Sequence, residues 1–468
     1  MPLNKDINKT IKEFKTLLRA NESFDLIYRT ININSKTACF FFIDGLVKDA
    51  VMEKMLEFLY SQKNDDYFKD VYSFSKHCVP YVEVDITGDK EKICTNILSG
   101  MLVLMVDGFD KAIVIDVRTY PQRDTSEPST DRVLRGSRDG FVETLVSNTA
   151  LIRRRIRNAG LTMKIFSVGK MSKSDVVVGY MDNKVDKKLL KDVCDRIKNA
   201  KVDSLTMNQQ SLIEAIYHYK WYNPFPKIKH TERPDTAASA ILEGNIVILV
   251  DNSPSAIILP TSIFDILEEA DDYYFPPFTG TYLKISRYII GLFTLIITPL
   301  WLLLLQNPWM IPEWLSFIKI SKEINLPIFW QLLALELIID GLRLASLHTP
   351  DAISTTLSII AAIVLSDFAV ESGWFNSESM LYMAFVAMAN YAQPSIELGY
   401  CLKFLRVLLL ILTAIFNIWG FFGGLVLIFF MMLFNKTVSG KHYLYPLIPF
   451  NGKKLITKVL RTRAKVSE

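Results

Sequence analysis

Cysteine is scarce in this sequence, and its positions form no pattern. Five cysteines are spread over 468 residues, and no two of them stand in a CxxC pair. An odd and scattered set argues against a disulfide framework and favours free thiols in a reducing compartment. The five histidines are also far apart in sequence. Because zinc sites use closely spaced cysteine and histidine ligands, we predict no metal site.

The motifs of common enzyme chemistry are absent as well. The sequence has no P-loop, no HExxH, no GxSxG and no GxGxxG. Nothing in it therefore indicates a bound nucleotide, a catalytic metal ion or an activated serine. We predict that the protein is not an enzyme and that it holds no cofactor.

A dominant charge sign is also lacking. Lys and Arg number 53, Asp and Glu number 49, and the net charge is +4. The basic excess lies at the carboxyl end, where residues 436–468 hold eight basic side chains and one acidic side chain. The chain before Tyr288 is nearly neutral. Because nucleic-acid binding needs a basic excess to neutralise phosphates, we predict no nucleic-acid partner.

Long apolar runs are abundant, and they lie between Tyr288 and Phe434. The first run, YIIGLFTLIITPLWLLLL, is long enough to cross the hydrocarbon core of a membrane as a helix. A lipid-exposed segment has to satisfy its own backbone groups, so each run should be helical. We predict six segments, the last two forming either a tight hairpin or one long tilted helix: Tyr288–Leu305, Pro327–Leu342, Ala352–Val370, Met380–Ala392, Leu402–Phe416 and Ile418–Phe434.

The two ends of the chain indicate its orientation. The start, MPLNKDINKTIKEFK, lacks the apolar core of a signal peptide, so we expect the first half to stay in the cytoplasm. The basic segment after residue 435 should be cytoplasmic too, because Lys and Arg near membrane segments favour that side. Both ends on one side require an even number of crossings. Six crossings satisfy this condition, and so would four.

The first half of the chain has the pattern of a water-soluble α/β domain. TACFFFI is typical of a buried strand, and MLVLMV and AIVIDV flank Asp107-Gly108 as in a hairpin. Strand and helix patterns alternate, which predicts mixed α/β architecture. We predict five parts: α/β subdomains at residues 1–120 and 141–283, a polar linker at 121–140, a transmembrane helical bundle at 284–435 and a basic tail at 436–468.

Charged residues within the apolar runs need an explanation, because they are costly in a membrane. Glu336, Asp340 and Arg343 share one helix face. They either line a water-filled path, or Asp340 and Arg343 form a neutral pair near the interface. Asp367 lies near the end of the third segment. It either lines the same path or marks the level of the headgroups.

A second polar group interrupts the apolar pattern between the fourth and fifth segments. Asn390 and Gln393 precede Pro394, and Glu397 follows it. Broken backbone at membrane depth is tolerated only where protein or water covers it, and such breaks recur at transport sites. An ordinary interfacial loop is the alternative. We take Pro394 as the candidate helix break and the three polar residues as candidate lining.

Small residues in the last segment suggest close helix packing. Gly420, Gly423 and Gly424 lie within an otherwise bulky apolar run. Small side chains allow two membrane helices to approach each other closely. We predict a packing role for these three glycines, within one chain or between copies.

A basic cluster ends the predicted helix of the second subdomain. Arg153, Arg154, Arg155 and Arg157 lie in the sequence LIRRRIRN. They are candidates for binding an anionic lipid headgroup, a phosphate or a protein partner. A solvated helix face that pairs with nearby acids is the favoured alternative.

Long ordered blocks of the sequence match a known pattern. In the first half they are RGSRDGFVETLVSNTALIRRRIRN, WYNPFP, TERPD and LEGNIVILVDNSPSAIILP. In the second half they are LSDFAVESGWF, ESMLYMAF and PSIELGYCLKFLRVLLL. Through these blocks, which extend over nearly the whole chain, the sequence resembles the A-subunit family of spore germination proteins, the GerA type.

The resemblance implies a multi-pass protein of the inner membrane of bacterial endospores. It also implies a homo-oligomer that passes ions or small solutes during germination and works with other germination membrane proteins. One branch of the family is thought to amplify release rather than to sense a nutrient.

Our main hypothesis is a homo-oligomeric channel, in which Glu336, Asp340 or Asp367 forms carboxylate rings that pass cations. It expects Glu336→Ala and Asp367→Ala to alter ion release without lowering the amount of protein in the membrane. The second hypothesis is a non-conducting scaffold that docks or amplifies receptor complexes. A membrane-tethered enzyme is the third, and the missing motifs disfavour it.

Overall fold

Two antiparallel β-sheets and a set of long apolar helices make up the described part of the chain. The computed structural model describes residues 3–34, 36–119, 131, 133–217, 221–320, 323–348 and 367–461, without the side chains of residues 65, 347, 348 and 367. The chain divides into two units. The sheet unit comprises Met1–Tyr219 and Ile228–Pro260, and the helical unit comprises Lys220–Lys227 and Thr261–Glu468.

The first sheet is built from strands whose neighbours all run antiparallel. Its spatial order is β1-β2-β4-β5-β3. Strand β4 is buried at every residue, since helices cover both faces of the sheet. Leu104 packs on one side with helices α2 and α3, and Val103 packs on the other side with α1 and α4. The elements are α1 Ile7–Leu17, β1 Leu26–Ile33, β2 Lys36–Ile43, α2 Asp49–Ser61, α3 Val71–Cys78, β3 Val84–Thr87, α4 Lys90–Leu98, β4 Leu102–Val106 and β5 Ala112–Ile115.

The second sheet repeats the topology of the first. Its order is β6-β7-β9-β10-β8, and all neighbouring pairs are again antiparallel. Each sheet belongs to the same succession of elements, α-β-β-α-α-β-α-β-β, apart from a short 3₁₀ turn in the first. The sequence predicted two mixed α/β subdomains, which is confirmed, but it did not reveal this internal repeat. The elements are α5 Leu145–Arg155, β6 Leu161–Val168, β7 Ser174–Met181, α6 Lys187–Lys198, α7 Asn208–Ile216, β8 Lys229–Thr231, α8 Pro234–Glu243, β9 Ile246–Val250 and β10 Ala256–Leu259.

A buried ion pair joins the two halves of the sheet unit. The guanidinium of Arg153, at the end of α5, donates to both carboxylate oxygens of Asp25, at 3.0 and 3.1 Å. It also donates to Ser23 Oγ and to the carbonyl oxygen of Leu161. Both ions of the pair are 1% exposed. A buried charge needs such complete pairing, because it has given up its hydration.

This pair corrects the predicted basic patch. Arg153 lies in the interior, so it is not available to a lipid or to a partner. Arg155 is half-buried, and it donates to the Asp139 carboxylate and to the Leu151 carbonyl oxygen. Arg154 and Arg157 are exposed. Only these two of the four arginines therefore remain candidates for contact with an external anion.

Among the described residues of the helical unit, two helices are long and apolar enough to cross a membrane, Pro277–Gln306 and Ile396–Phe434. The predicted segments Pro327–Leu342 and Met380–Ala392 also fall in helices. Most of Ala352–Val370 lies outside the described residues, so the number of crossings stays a prediction. The helices are α9 Ile263–Ile266, α10 Asp271–Tyr274, α11 Pro277–Gln306, α12 Ile328–His348, α13 Asp367–Glu371, α14 Ser377–Tyr391, α15 Ile396–Phe434 and α16 Gly452–Val459.

Helix α15 folds back on itself at Asn417. This residue has φ 52° and ψ −128°, which are not helical backbone angles. A Cβ built on Gly424 would lie 2.6 Å from Leu409 Cδ1, whereas a straight helix would separate these residues by about 22 Å. The two halves of α15 therefore form the tight hairpin rather than the single long helix.

Two of the three predicted packing glycines lie inside this hairpin. A Cβ on Gly420 would overlap the carbonyl oxygen of Leu412, and Gly424 meets the same opposing helix. Gly423 has no atom within 4 Å of the corresponding Cβ position, so its small size is not needed in the described part of one chain.

The Arg153–Asp25 pair gives a test of the sheet unit. Arg153→Met leaves Asp25 buried and unpaired, which should destabilise the protein by about 3–5 kcal/mol. The matched control is Arg154→Met on the same helix, because that side chain is exposed and should cost at most about 0.5 kcal/mol. The measurement is the thermal unfolding midpoint of the full-length protein in detergent. Equal unfolding midpoints for the two variants would show that the Arg153–Asp25 pair does not stabilise the sheet unit.

Candidate functional site

Four charged side chains meet inside the helical unit, between α11, α12 and α15. Arg406 Nε donates to Glu336 Oε1 at 2.7 Å, and its Nη2 lies 2.6 Å from the same oxygen. Arg406 Nη1 donates to the carbonyl oxygen of Thr294 on α11 at 3.1 Å. Lys403 pairs with Asp340 and lies 4.0 Å from Glu336 Oε2. Two acids and two bases thus form a neutral network, which we call the inter-helix ion network.

The carbonyl oxygen of Thr294 can serve this network because a carbonyl has two lone pairs, so it accepts from Arg406 in addition to its place in the helix. Arg406 is 2% exposed and Glu336 is 8% exposed by side chain, so both ions have left water. Ionised groups in this environment need mutual pairing and additional hydrogen bonds, and both are present.

The network bears on two sequence-based interpretations. Glu336 is paired inside a single chain, which favours a role in holding helices together, and its lining role stays a prediction. Asp340 pairs with Lys403 and not with Arg343, as far as the described residues go. The guanidinium of Arg343 instead lies over the rings of Tyr391 and Tyr400, at 5.6 and 4.8 Å from their centroids.

The sequence analysis missed Lys403 and Arg406 as partners of these acids. A signal was available, because the fifth apolar segment contains two bases three residues apart and the second contains two acids four residues apart. Opposite charges in two apolar helices indicate a pair between them. The partners are 63 to 70 residues apart, so local spacing alone did not reveal them.

The predicted helix break is a real interruption between α14 and α15. Helix α14 ends at Tyr391, and α15 begins at Ile396 with Ser395 as its capping residue. Pro394 lies in this gap. Glu397 is exposed in the first turn of α15. The structure therefore brings the predicted polar residues of this stretch together at the junction of two helices.

Two amide oxygens at this break are buried without a hydrogen-bond partner among the described residues. They are Asn390 Oδ1 and Gln393 Oε1. Gln393 Nε2 donates to the Ala389 carbonyl oxygen at 3.1 Å, which fixes the orientation of its amide. Glycines border both amides: a Cβ on Gly399 would lie 2.8 Å from Asn390 Oδ1, and one on Gly291 would lie 3.7 Å from Gln393 Oε1.

Several other amides in the same unit are paired, although Asn435 Nδ2 is also buried without a partner among the described residues. Gln331 Nε2 donates to Asn376 Oδ1 at 2.7 Å, and the Asn376 backbone N–H donates back at 2.9 Å. Asn307 and Asn417 exchange hydrogen bonds at the α15 hairpin. Because an unsatisfied buried carbonyl is costly, the oxygens at the break are ready to accept from water or to contact a cation.

Two sequence-based predictions remain, the lining role of Asp367 and the absence of a metal site. The side chain of Asp367 is outside the described part, so its lining role stays a prediction. The described residues hold no group of three or more His, Cys, Asp or Glu side chains that could bind a metal ion. All five cysteines are free thiols.

An acidic segment before α11 neutralises the basic residues at the start of that helix. Arg287 Nη1 lies 2.9 Å from Asp272 Oδ2, and Lys284 Nζ lies 2.9 Å from Glu268 Oε1. Burial acts to raise the pKa of Asp265, but Lys458 and Ser262 outweigh it and hold that pKa below its usual range. The carboxylate therefore stays ionised at neutral pH and pairs with Lys458 at 2.7 Å.

Residues that follow α15 contact the segment 221–227. Tyr443, which is buried, donates from its hydroxyl to the Pro226 carbonyl oxygen at 2.8 Å. Its ring lies 5.7 Å from that of Phe225, and Asn223 Nδ2 donates to Asn435 Oδ1. The WYNPFP block is thus a structural element of the helical unit.

Known proteins resemble this chain over nearly its full length. Residues 12–468 match the family model described as Bacillus/Clostridium GerA spore germination protein. Stage V sporulation protein AF of Bacillus subtilis (strain 168) is 36% identical over 455 residues, covering 97% of this chain and 92% of that protein. Spore germination protein KA of the same organism is 27% identical, with 96% and 82% covered.

A solved structure also matches part of the chain. It is the N-terminal domain of the A subunit of the Bacillus megaterium spore germinant receptor GerK3. The two are 25% identical with a TM-score of 0.43, and the match covers 55% of this chain and 96% of that domain.

The inter-helix ion network predicts how substitutions affect the helical unit. Glu336→Gln leaves Arg406 buried and unpaired, so it should destabilise the protein by about 3–5 kcal/mol and reduce its amount in the membrane. This reverses the earlier expectation for Glu336. The double variant Glu336→Leu/Arg406→Leu removes both charges and should recover most of the loss.

The control for this experiment is Glu313→Gln, which changes an exposed acid of the same unit. Its thermal midpoint in detergent and its level in membranes should match those of the unsubstituted protein. If Glu336→Gln behaves in the same way as Glu313→Gln, the network does not hold the helices together.

Proposed function

The chain belongs to the Bacillus/Clostridium GerA spore germination family, and on that premise we propose that several copies of it form a membrane passage for ions or small solutes during germination. Its family membership supports a role in spore germination. Helices α11 and α15, which are long and apolar enough to cross a membrane, support a membrane protein. The transport activity and the homo-oligomer are the new parts of the proposal.

The observation that carries the proposal is the pair of unsatisfied amide oxygens at the helix break. In the interior of a helical unit, each unpaired oxygen raises the free energy unless water, an ion or a donor meets it. Carbonyl oxygens that replace part of a hydration shell are a common means of passing cations. We therefore propose that Asn390 and Gln393 border the passage and that Glu397 lies at its entrance.

Large apolar side chains on the outside of the helical unit support the membrane location and assembly. Many large apolar side chains exposed on one unit favour cover by lipid or by another subunit. Exposed examples on four different helices are Leu292, Leu337, Phe385, Ile415 and Trp419.

The neutral ion network favours a second candidate function. Glu336 and Asp340 are neutralised inside one chain, so they supply no charge to a passage between copies. A non-conducting scaffold that docks or amplifies germinant receptor complexes would need no such charge. The two functions differ in whether the purified protein itself conducts.

We further propose a location in the inner membrane of the endospore, as a multi-pass protein. The sheet unit and the basic tail would face the cytoplasm of the spore core, where Lys and Arg near membrane segments are favoured. Other germination membrane proteins would be partners, since relatives include stage V sporulation protein AF and spore germination protein KA.

Ion release from liposomes tests the proposal. The full-length protein is reconstituted into vesicles loaded with K⁺, and release is followed with a K⁺ electrode. The double variant Asn390→Leu/Gln393→Leu should release K⁺ more slowly, because leucine removes the oxygens and fills the space around them. We expect at least about a tenfold decrease, which corresponds to about 1.4 kcal/mol in the barrier.

The control variant is Gln306→Leu, which removes an exposed amide at the end of α11. It should release K⁺ at the unsubstituted rate when vesicles contain equal amounts of protein. No release by the unsubstituted protein under conditions where oligomers are detected would favour the scaffold. If the double variant and Gln306→Leu release K⁺ at equal rates, Asn390 and Gln393 do not border the passage.

A further inference from the structure

The tail helix α16 is held at a fixed position on the helical unit. Lys458 lies 2.7 Å from Asp265 and 3.1 Å from Glu268, so it is bound between two acids. The backbone N–H of Arg461 donates to Thr281 Oγ1 on α11 at 3.1 Å. The side chain of Asn451 caps the first turn of α16. These contacts determine which face of α16 points away from the protein.

The outward face of α16 combines apolar and basic side chains. Ile456 is 55% exposed and Leu460 is 40% exposed, while Phe450, just before the helix, is 75% exposed. Lys453 and Lys454 are exposed as well, and Lys454 Nζ lies 5.5 Å from the centroid of the Tyr445 ring. The inward positions, such as Leu455 and Lys458, are half-buried. A short helix with this division is typical of segments that lie in a membrane interface.

The neighbours of α16 place it where the chain enters the membrane. Thr281, which binds the end of the tail helix, belongs to the first turns of α11. The same turns expose Phe278, Tyr282 and Ile289, which are 86%, 65% and 48% exposed. Aromatic side chains at the end of an apolar helix are typical of the headgroup level. The apolar face of α16 is therefore continuous with a surface that lipid would cover.

The charge of the tail indicates the kind of lipid. Residues 436–468 hold eight basic side chains and one acidic side chain. Lys458 is neutralised by Asp265 and Glu268, whereas Lys453 and Lys454 are exposed. Basic side chains next to a membrane segment are attracted by anionic headgroups, each by about fivefold in binding.

We propose that α16 is an interfacial helix that binds an anionic membrane surface. Phe450, Ile456 and Leu460 enter the boundary between headgroups and acyl chains, and Lys453 and Lys454 contact lipid phosphates. The pairing of Lys458 with Asp265 and Glu268 sets the rotation of the helix. This inference does not depend on transport, so it holds for a passage and for a scaffold.

Fluorescence quenching in the full-length protein tests this inference. The two half-buried cysteines are changed by Cys94→Ser and Cys194→Ser, since the other three are buried. An environment-sensitive dye is attached after Ile456→Cys, or after Met207→Cys as the matched control. Met207 is 73% exposed in the sheet unit. Each protein is reconstituted in phosphatidylcholine vesicles with or without phosphatidylglycerol, and quenched by iodide in water or by nitroxide-labelled lipid.

We expect the dye at position 456 to be quenched by nitroxide lipid and shielded from iodide in vesicles that contain phosphatidylglycerol. Adding Lys453→Glu/Lys454→Glu should reduce the ratio of lipid-bound to free helix by at least about fivefold per lysine. The dye at position 207 should be open to iodide throughout. The inference is overturned if the dye at 456 is as open to iodide as the dye at 207. Shielding from both quenchers would also overturn it, because protein would then cover this face.

Discussion

An ionised side chain inside an apolar helical unit has to find its counter-charge within reach, and this constraint organises the second half of the chain. Arg406 is almost completely buried, and its three nitrogens bind Glu336 and the Thr294 carbonyl oxygen. One side chain thereby connects α11, α12 and α15. Lys403 extends the same network to Asp340. The relative arrangement of three helices is thus specified by polar contacts rather than by apolar packing alone.

The same constraint distinguishes structural polar groups from candidate functional ones. The charges of the network neutralise each other, and the amides of Gln331 and Asn376 satisfy each other. The oxygens of Asn390 and Gln393 are not satisfied in this way among the described residues. Proteins tolerate such costs mainly where function needs them. The proposed passage therefore rests on the break between α14 and α15.

Local sequence patterns predicted the helices and strands. Side-chain pairing and helix packing depend on partners far away in the sequence, and these could not be predicted from local patterns. The run MLVLMV indicated a buried strand, and β4 is buried throughout because both faces of its sheet are covered. The sequence showed the last two apolar segments, but the backbone of Asn417 and the close approach of Gly424 to Leu409 distinguish a hairpin from one helix. Arg153 had the pattern of a surface cluster, yet its partner Asp25 lies 128 residues earlier. For the same reason the sequence left a water-facing role open for Glu336, since its partner is 70 residues away. The repeated topology of the two sheets has no counterpart in an obvious sequence repeat.

The central claim is that copies of the helical unit surround a water-filled passage bordered by the helix break. Glu336 and Asp340 pair with bases of their own chain. Electron cryomicroscopy of the full-length protein in lipid nanodiscs tests it most directly. The account predicts a ring of copies with density for water or ions next to Asn390 and Gln393, and with Glu336 bound to Arg406 of its own chain. A ring whose centre is filled by apolar side chains, with the break facing lipid, would contradict it.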